Sequence, residues 1–104
     1  MTAAGAQSTY YVVFFETKYR SLAEVMEKAP EVLRSHVTRS KQFHAEGKML
    51  MAGAFLDGLA EPVSTMGVLV SREAAEEFAN GDPFLLHGMV STWHIREWSN
   101  MFAS

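Results

Sequence analysis

A histidine and an aspartate are the residues in this chain whose types and positions best fit acid/base chemistry. His36 recurs with Leu33, Ser40 and Phe43 at intervals of three and four, which places it in the middle of an apolar helical stripe. Asp82 stands directly before Pro83 and Phe84. A carboxylate that accepts the proton of one imidazole nitrogen fixes the tautomer, and the other nitrogen is then free to move a proton near neutral pH. Two structural readings stand beside this one. Asp82 suits the N-cap of a turn beginning at Pro83, a role worth about 1 kcal/mol. His36 suits a buried histidine satisfied by that carboxylate or by a backbone carbonyl. An unpartnered buried imidazole would cost roughly 1–3 kcal/mol, so it needs a partner in either case.

The remaining inventory is sparse. His44 lies toward the edge of the stripe and His87 in the turn after Asp82, so both read as surface or boundary residues. His94 and Arg96 share one face of an alternating segment and read as interface, with anion binding as the alternative. Cysteine is absent, which removes thiolate nucleophiles, disulfides and thiolate metal ligands. Four histidines with no paired motif on one helix turn predict no metal site. No phosphate-binding glycine loop or Gly-x-Ser-x-Gly elbow occurs, and no cofactor is expected. The seven methionines read as core filling and interface.

Composition sets the frame. Of 104 residues 48% are hydrophobic and 20% charged, which excludes a disordered chain. A net charge of −3 without a Lys/Arg cluster speaks against nucleic acid and anionic membrane as partners. No apolar run approaches the roughly 18–20 residues of a membrane span. Residues 1–9 are small and polar, lack the features of a signal peptide, and read as a flexible leader before a single domain over 10–104. A soluble, cytoplasmic protein is expected.

The elements that must position His36 and Asp82 follow from periodicity. Tyr10 to Phe15 is an aromatic and β-branched run, hence a strand buried on both faces, and Glu16 to Arg20 reads as a polar loop leaving it. Ser21 with Glu24 fits a capping box for a short helical turn. Pro30 opens a longer helix that Gly47 closes. Lys48 to Phe55 is a second strand, in which Gly53 suggests a bulge or a close approach by another group. Asp57-Gly58 and Glu61-Pro62 punctuate the connection to a third strand, Ser64 to Val70. Ser71 caps a second helix that ends at Asn80-Gly81, and the Asp82-Pro83 turn is closed by Gly88. Met89 to Trp98 is the fourth strand.

The order β-α-β-β-α-β is the ferredoxin-like, split βαβ arrangement: an α+β fold with two helices on one face of a four-stranded antiparallel sheet. In the strand order 4-1-3-2 the first helix starts at the edge where the second ends, so His36 and Asp82 converge. The same edge receives Phe15, Phe55, Ser64 and Trp93. The strands are apolar on both faces, and a second copy of the chain is the simplest cover for the face without helices. Two such sheets packed together form a dimeric α+β barrel.

Arg34-Ser35-His36-Val37, the segment Gly47 to Ala54, Asp82-Pro83-Phe84 with Gly88, and Arg96-Glu97-Trp98 together resemble the YciI-like (YCII-related) family. The resemblance spans Tyr10 to Trp98. It implies a dimeric α+β barrel with an active site built on a His–Asp pair, here His36 and Asp82. One branch of the family is associated with dehydrochlorination of a chlorinated hydroxyquinol. The expectation is a cofactor-independent enzyme with a small-molecule ligand and a homodimeric assembly. In it His36 is the general acid/base oriented by Asp82. Phe55, Phe84 and Trp93 form apolar walls for a small aromatic or quinol-like substrate, and Ser64 donates a hydrogen bond. A non-catalytic ligand-binding or assembly module is the alternative, because the same barrel carries many functions.

Overall fold

The apolar run near the N-terminus forms the central strand of the sheet. β1 (Thr9–Thr17) pairs antiparallel with β3 (Ser64–Leu69) on one side and β4 (Val90–Ser99) on the other, and β2 (Met49–Ala54) pairs antiparallel with β3. The order is β2-β3-β1-β4, the ferredoxin-like arrangement expected. The helical segments are α1 (Leu22–Lys28), α2 (Pro30–Ala45), α3 (Arg72–Gly81) and the single turn α4 (Pro83–Leu86). The computed structural model describes residues 7–57 and 62–103.

The helix ends follow local chemistry. Ser21 Oγ accepts the Glu24 N–H at 3.1 Å, while Glu24 Oε1 accepts the Arg20 N–H at 2.8 Å. That backbone donor, helped by Lys28, holds the Glu24 carboxyl below the ordinary glutamate value. The support this gives α1 is present at neutral pH and fades as acid protonates the carboxylate. Pro30 occupies the first turn of α2, and Gly47 closes that helix with φ +77°. Ser71 Oγ accepts the Ala74 N–H at 3.0 Å at the start of α3.

The helix-facing core joins Val13, Phe15 and Leu69 of the sheet to Phe43 of α2 and Ala75, Phe78 and Ala79 of α3. The small alanines let α3 lie close against the strands. The opposite face of the sheet carries Tyr10, Val12 and Val68, with Phe14 and Met66 beside them.

Several details differ from those read in the sequence. β1 continues through Glu16 and Thr17, because the Thr17 N–H and Oγ1 both donate to the Val63 carbonyl at 2.8 Å. Polar residues there are tied into the sheet instead of leaving it. The expected leader ends sooner, since Thr9 pairs with Ser99 and the Gln7 side chain donates to the Val70 carbonyl at 2.7 Å. Residues 1–6 of that leader lie outside the described residues, as do Gly58 and Glu61 of the β2–β3 connection. The irregularity in β2 falls between Met49 and Met51, not at Gly53. A Cβ at Gly53 would meet nothing within 4 Å. Lys48, Phe55 and Met89 flank their strands instead of belonging to them.

Candidate active site

β1, β2 and α3 all end, and β3, β4 and α2 all begin, at one rim of the sheet, as the register of Glu16 with Ser64 and of Thr17 with Val90 requires. His36, in the second turn of α2, meets Asp82 there: Nδ1 lies 2.6 Å from Asp82 Oδ1. The imidazole side chain is 15% exposed and the carboxylate side chain 0%. Asp82 Oδ2 accepts the Phe84 N–H at 3.0 Å, so both contacts expected of this aspartate are present. One oxygen caps α4 and the other holds the ring. A carboxylate only accepts, so Nδ1 carries the shared proton and Nε2 is the free basic nitrogen of the neutral ring. The Phe84 ring stacks on the imidazole at 4.1 Å with 11° between planes, which leaves the Nε2 edge as the approach. Gly88, with φ +71°, turns the chain out of α4 so that the Met89 N–H reaches the Phe84 carbonyl at 2.9 Å.

A second connection, invisible in the sequence, fixes the spacing of α2 and α3. Arg39 Nη1 and Nη2 donate to the Phe78 and Glu77 carbonyls, both at 2.8 Å, and its guanidinium lies over the Phe43 and Phe78 rings. Arg39 thus satisfies carbonyls at the end of α3, one helical turn from His36. Arg39 lies away from the centre of the apolar stripe, and only the crossing of the two helices gives it this role. Gly81 makes the approach possible, since a Cβ there would lie 2.5 Å from Arg39 Nη2. Gly81→Ala is expected to displace the guanidinium, costing about 1–3 kcal/mol of stability for the charge-assisted bonds disturbed. Urea unfolding measures this, and an unchanged midpoint would contradict it.

An apolar cavity of about 280 Å³ opens beside His36, bounded by α1, α2 and the β1–β3–β2 portion of the sheet. Phe84, Phe15, Val25 and Leu33 form walls, and Thr17 and Thr65 supply the hydroxyls. The floor is small: Ala52 pairs with Gly67 and Ala54 with Thr65 across the two strands. Of the residues expected around a ligand, His36 and Phe84 line this space. Phe55 and Ser64 instead line a separate groove with Arg20 and Asp57. Ser64 opposes Glu16 on the face of the sheet without helices, and its neighbour Thr65 points the other way. The rim position from which Ser64 was expected does not assign the face its side chain takes. Trp93 packs edge-on against Phe15 at 6.4 Å, on the β4 side of β1, away from the cavity.

The other histidines are placed elsewhere. His44 donates from Nδ1 to the Met49 carbonyl at 2.9 Å, His94 stacks on Phe14 at 5.0 Å, and His87 is exposed after α4. Among the described residues no three His, Cys, Asp or Glu side chains gather to hold a metal ion, and no helix is long and apolar enough to cross a membrane.

The fold recurs in solved structures. The chain superposes on 5-chloro-2-hydroxyhydroquinone dehydrochlorinase from Burkholderia phenoliruptrix in complex with 2,5-dihydroxybenzoquinone, with TM-score 0.61 and 15% identity, covering 86% of this chain and 92% of that one. It also superposes on a dimeric ferredoxin-like protein from an uncultured marine organism, with TM-score 0.51 and 11% identity over 92% of this chain and 90% of that one. No curated protein matches the sequence. The YCII-related domain model matches residues 9–99, the span from the first strand through the last, and the chain belongs to that family.

Proposed function

We propose that the protein is a cofactor-independent small-molecule enzyme in which His36 transfers a proton and Asp82 orients it. The observation that carries this reading is the division of labour in one buried carboxylate: Oδ2 on the Phe84 N–H and Oδ1 on His36 Nδ1, with Nε2 left unpartnered among the described residues beside an apolar cavity. In the proposed step Nε2 takes a proton from a C–H or O–H of the substrate, whose bonding pair becomes a new double bond. Either a leaving group on the adjacent carbon departs with its own pair, or the imidazolium returns the proton to a different carbon. The first outcome is an elimination and the second an isomerisation; both balance without a further reactant. Phe84, Phe15 and Leu33 suit a single aromatic or quinol-like ring, and Thr65 can donate to a ring oxygen. The dehydrochlorinase of like fold motivates the choice of substrate class. The test is a panel of chlorinated and unchlorinated hydroxyquinols in deuterated buffer, read for chloride release and for solvent deuterium in recovered material. Wild-type protein is expected to give one or the other, and His36→Gln neither. Absence of both signals across the panel favours a binding module.

A homodimer belongs to the same reading, with a second copy on the face bearing Tyr10, Val12, Phe14, Met66 and Val68. Sedimentation is expected to give a dimer for wild type and a monomer with an unchanged circular dichroism spectrum for Met66→Arg. A monomeric wild type would remove this part of the proposal.

A further inference from the structure

Beside the inner cavity runs a second space of about 460 Å³, a groove between α2 and β2. The two share His36, Val37, Ala52 and Gly53 as walls, so they adjoin beneath the start of α2. Ala52 makes the junction low. It pairs with Gly67, whose added Cβ would meet the Met49 and Ala52 side chains, so it points toward the helices. It is nonetheless exposed, and Val37 above it is too. The groove wall contains Lys41 and His44 and no acidic side chain, in a chain of net charge −3. Other cations on and after α2 are engaged: Arg34 with Glu31, Arg39 with the α3 carbonyls, Lys48 with Glu46 and Glu77. Lys41 has no carboxylate within ion-pair distance among the described residues. It follows His36 by five residues, about 7.5 Å along the helix and about 140° around it, and both residues line the groove.

From this we infer that the groove is an anion subsite: the ligand is an elongated molecule whose ring fills the inner cavity and whose carboxylate passes over Ala52 to Lys41. This rests on the reading above only in taking the inner cavity as the place of the ring. The chemistry required is an apolar aromatic body joined to a carboxylate by a short spacer, of about two to four carbons from the helix rise.

Calorimetry with the whole protein tests it, using benzoate, phenylacetate, 3-phenylpropanoate and 4-phenylbutanoate as probes against the four matching alcohols. Wild type is expected to bind the longer carboxylates about tenfold more tightly than their alcohols, the scale of one charge-assisted contact. Lys41→Ala should erase that preference and leave the alcohols within about twofold, as surface substitutions usually do. Ala52→Ile should weaken the long carboxylates and spare benzoate. Equal binding of acids and alcohols, a preference that survives Lys41→Ala, or no binding by any probe overturns the inference. His36→Gln separates the two claims. If His36→Gln keeps wild-type turnover while the carboxylate preference persists, only the acid/base reading falls; if turnover depends on His36 but the preference is absent, only the subsite falls.

Discussion

His36→Gln is expected to lower turnover by about 10²–10⁴-fold, the usual contribution of a positioned acid/base group. Glutamine keeps a donor that can reach Asp82 Oδ1, so the melting temperature should move little. His36→Ala should lose the same activity and stability besides. It leaves one oxygen of a fully buried carboxylate without its partner and removes the ring stacked on Phe84. An unsatisfied buried acceptor costs about 1–3 kcal/mol, and each kcal/mol corresponds to a fall of about 4–8 °C in Tm for a domain of this size. The space vacated by the imidazole sits against the cavity, so added imidazole should restore part of the rate to the alanine variant. Steady-state kinetics and thermal melts on the two variants check this. A glutamine variant with more than half the wild-type turnover would end the role assigned to the histidine.

The second large effect is at Asp82, where two substitutions separate folding from chemistry. Asparagine is as good an N-cap as aspartate, so Asp82→Asn should keep the Phe84 N–H bond and most of the stability. Its neutral amide no longer supplies the negative partner for an imidazolium, and it permits the wrong tautomer by offering an N–H to Nδ1. Turnover should therefore fall as far as in His36→Gln. Asp82→Ala removes cap and partner together, with a cost of about 2–4 kcal/mol from a lost cap of about 1 and a buried polar group left alone at about 1–3. Denaturant midpoints should rank wild type and Asp82→Asn close together and Asp82→Ala far below. If asparagine leaves the rate intact, the carboxylate serves the turn alone.

The convergence of His36 and Asp82 was legible because it depends on topology. A periodic helix, two serine caps and four apolar strands define which ends share a rim, whatever the side-chain detail. The walls of the cavity were less legible, because they depend on strand phase. Ser64 and Thr65 are equally plausible donors until pairing with Glu16 and Phe15 assigns their faces. Phe55 lies just past β2, where the alternation no longer fixes its face, and Trp93 is on the correct face but one strand too far. Arg39 was hidden for another reason. It lies away from the centre of the apolar stripe, and only the presence of α3 carbonyls across the helix crossing gives it partners.

The shared duty of Asp82 changes what a comparison of relatives can reveal. Selection for a well-formed turn would retain a capping side chain at 82, Asp or Asn, even in a lineage without turnover. In any descendant of this architecture, then, glutamine at 36 or asparagine at 82, each of which keeps the local bonding without the proposed acid/base pair, is the sensitive marker, and survival of a capping residue at 82 is uninformative.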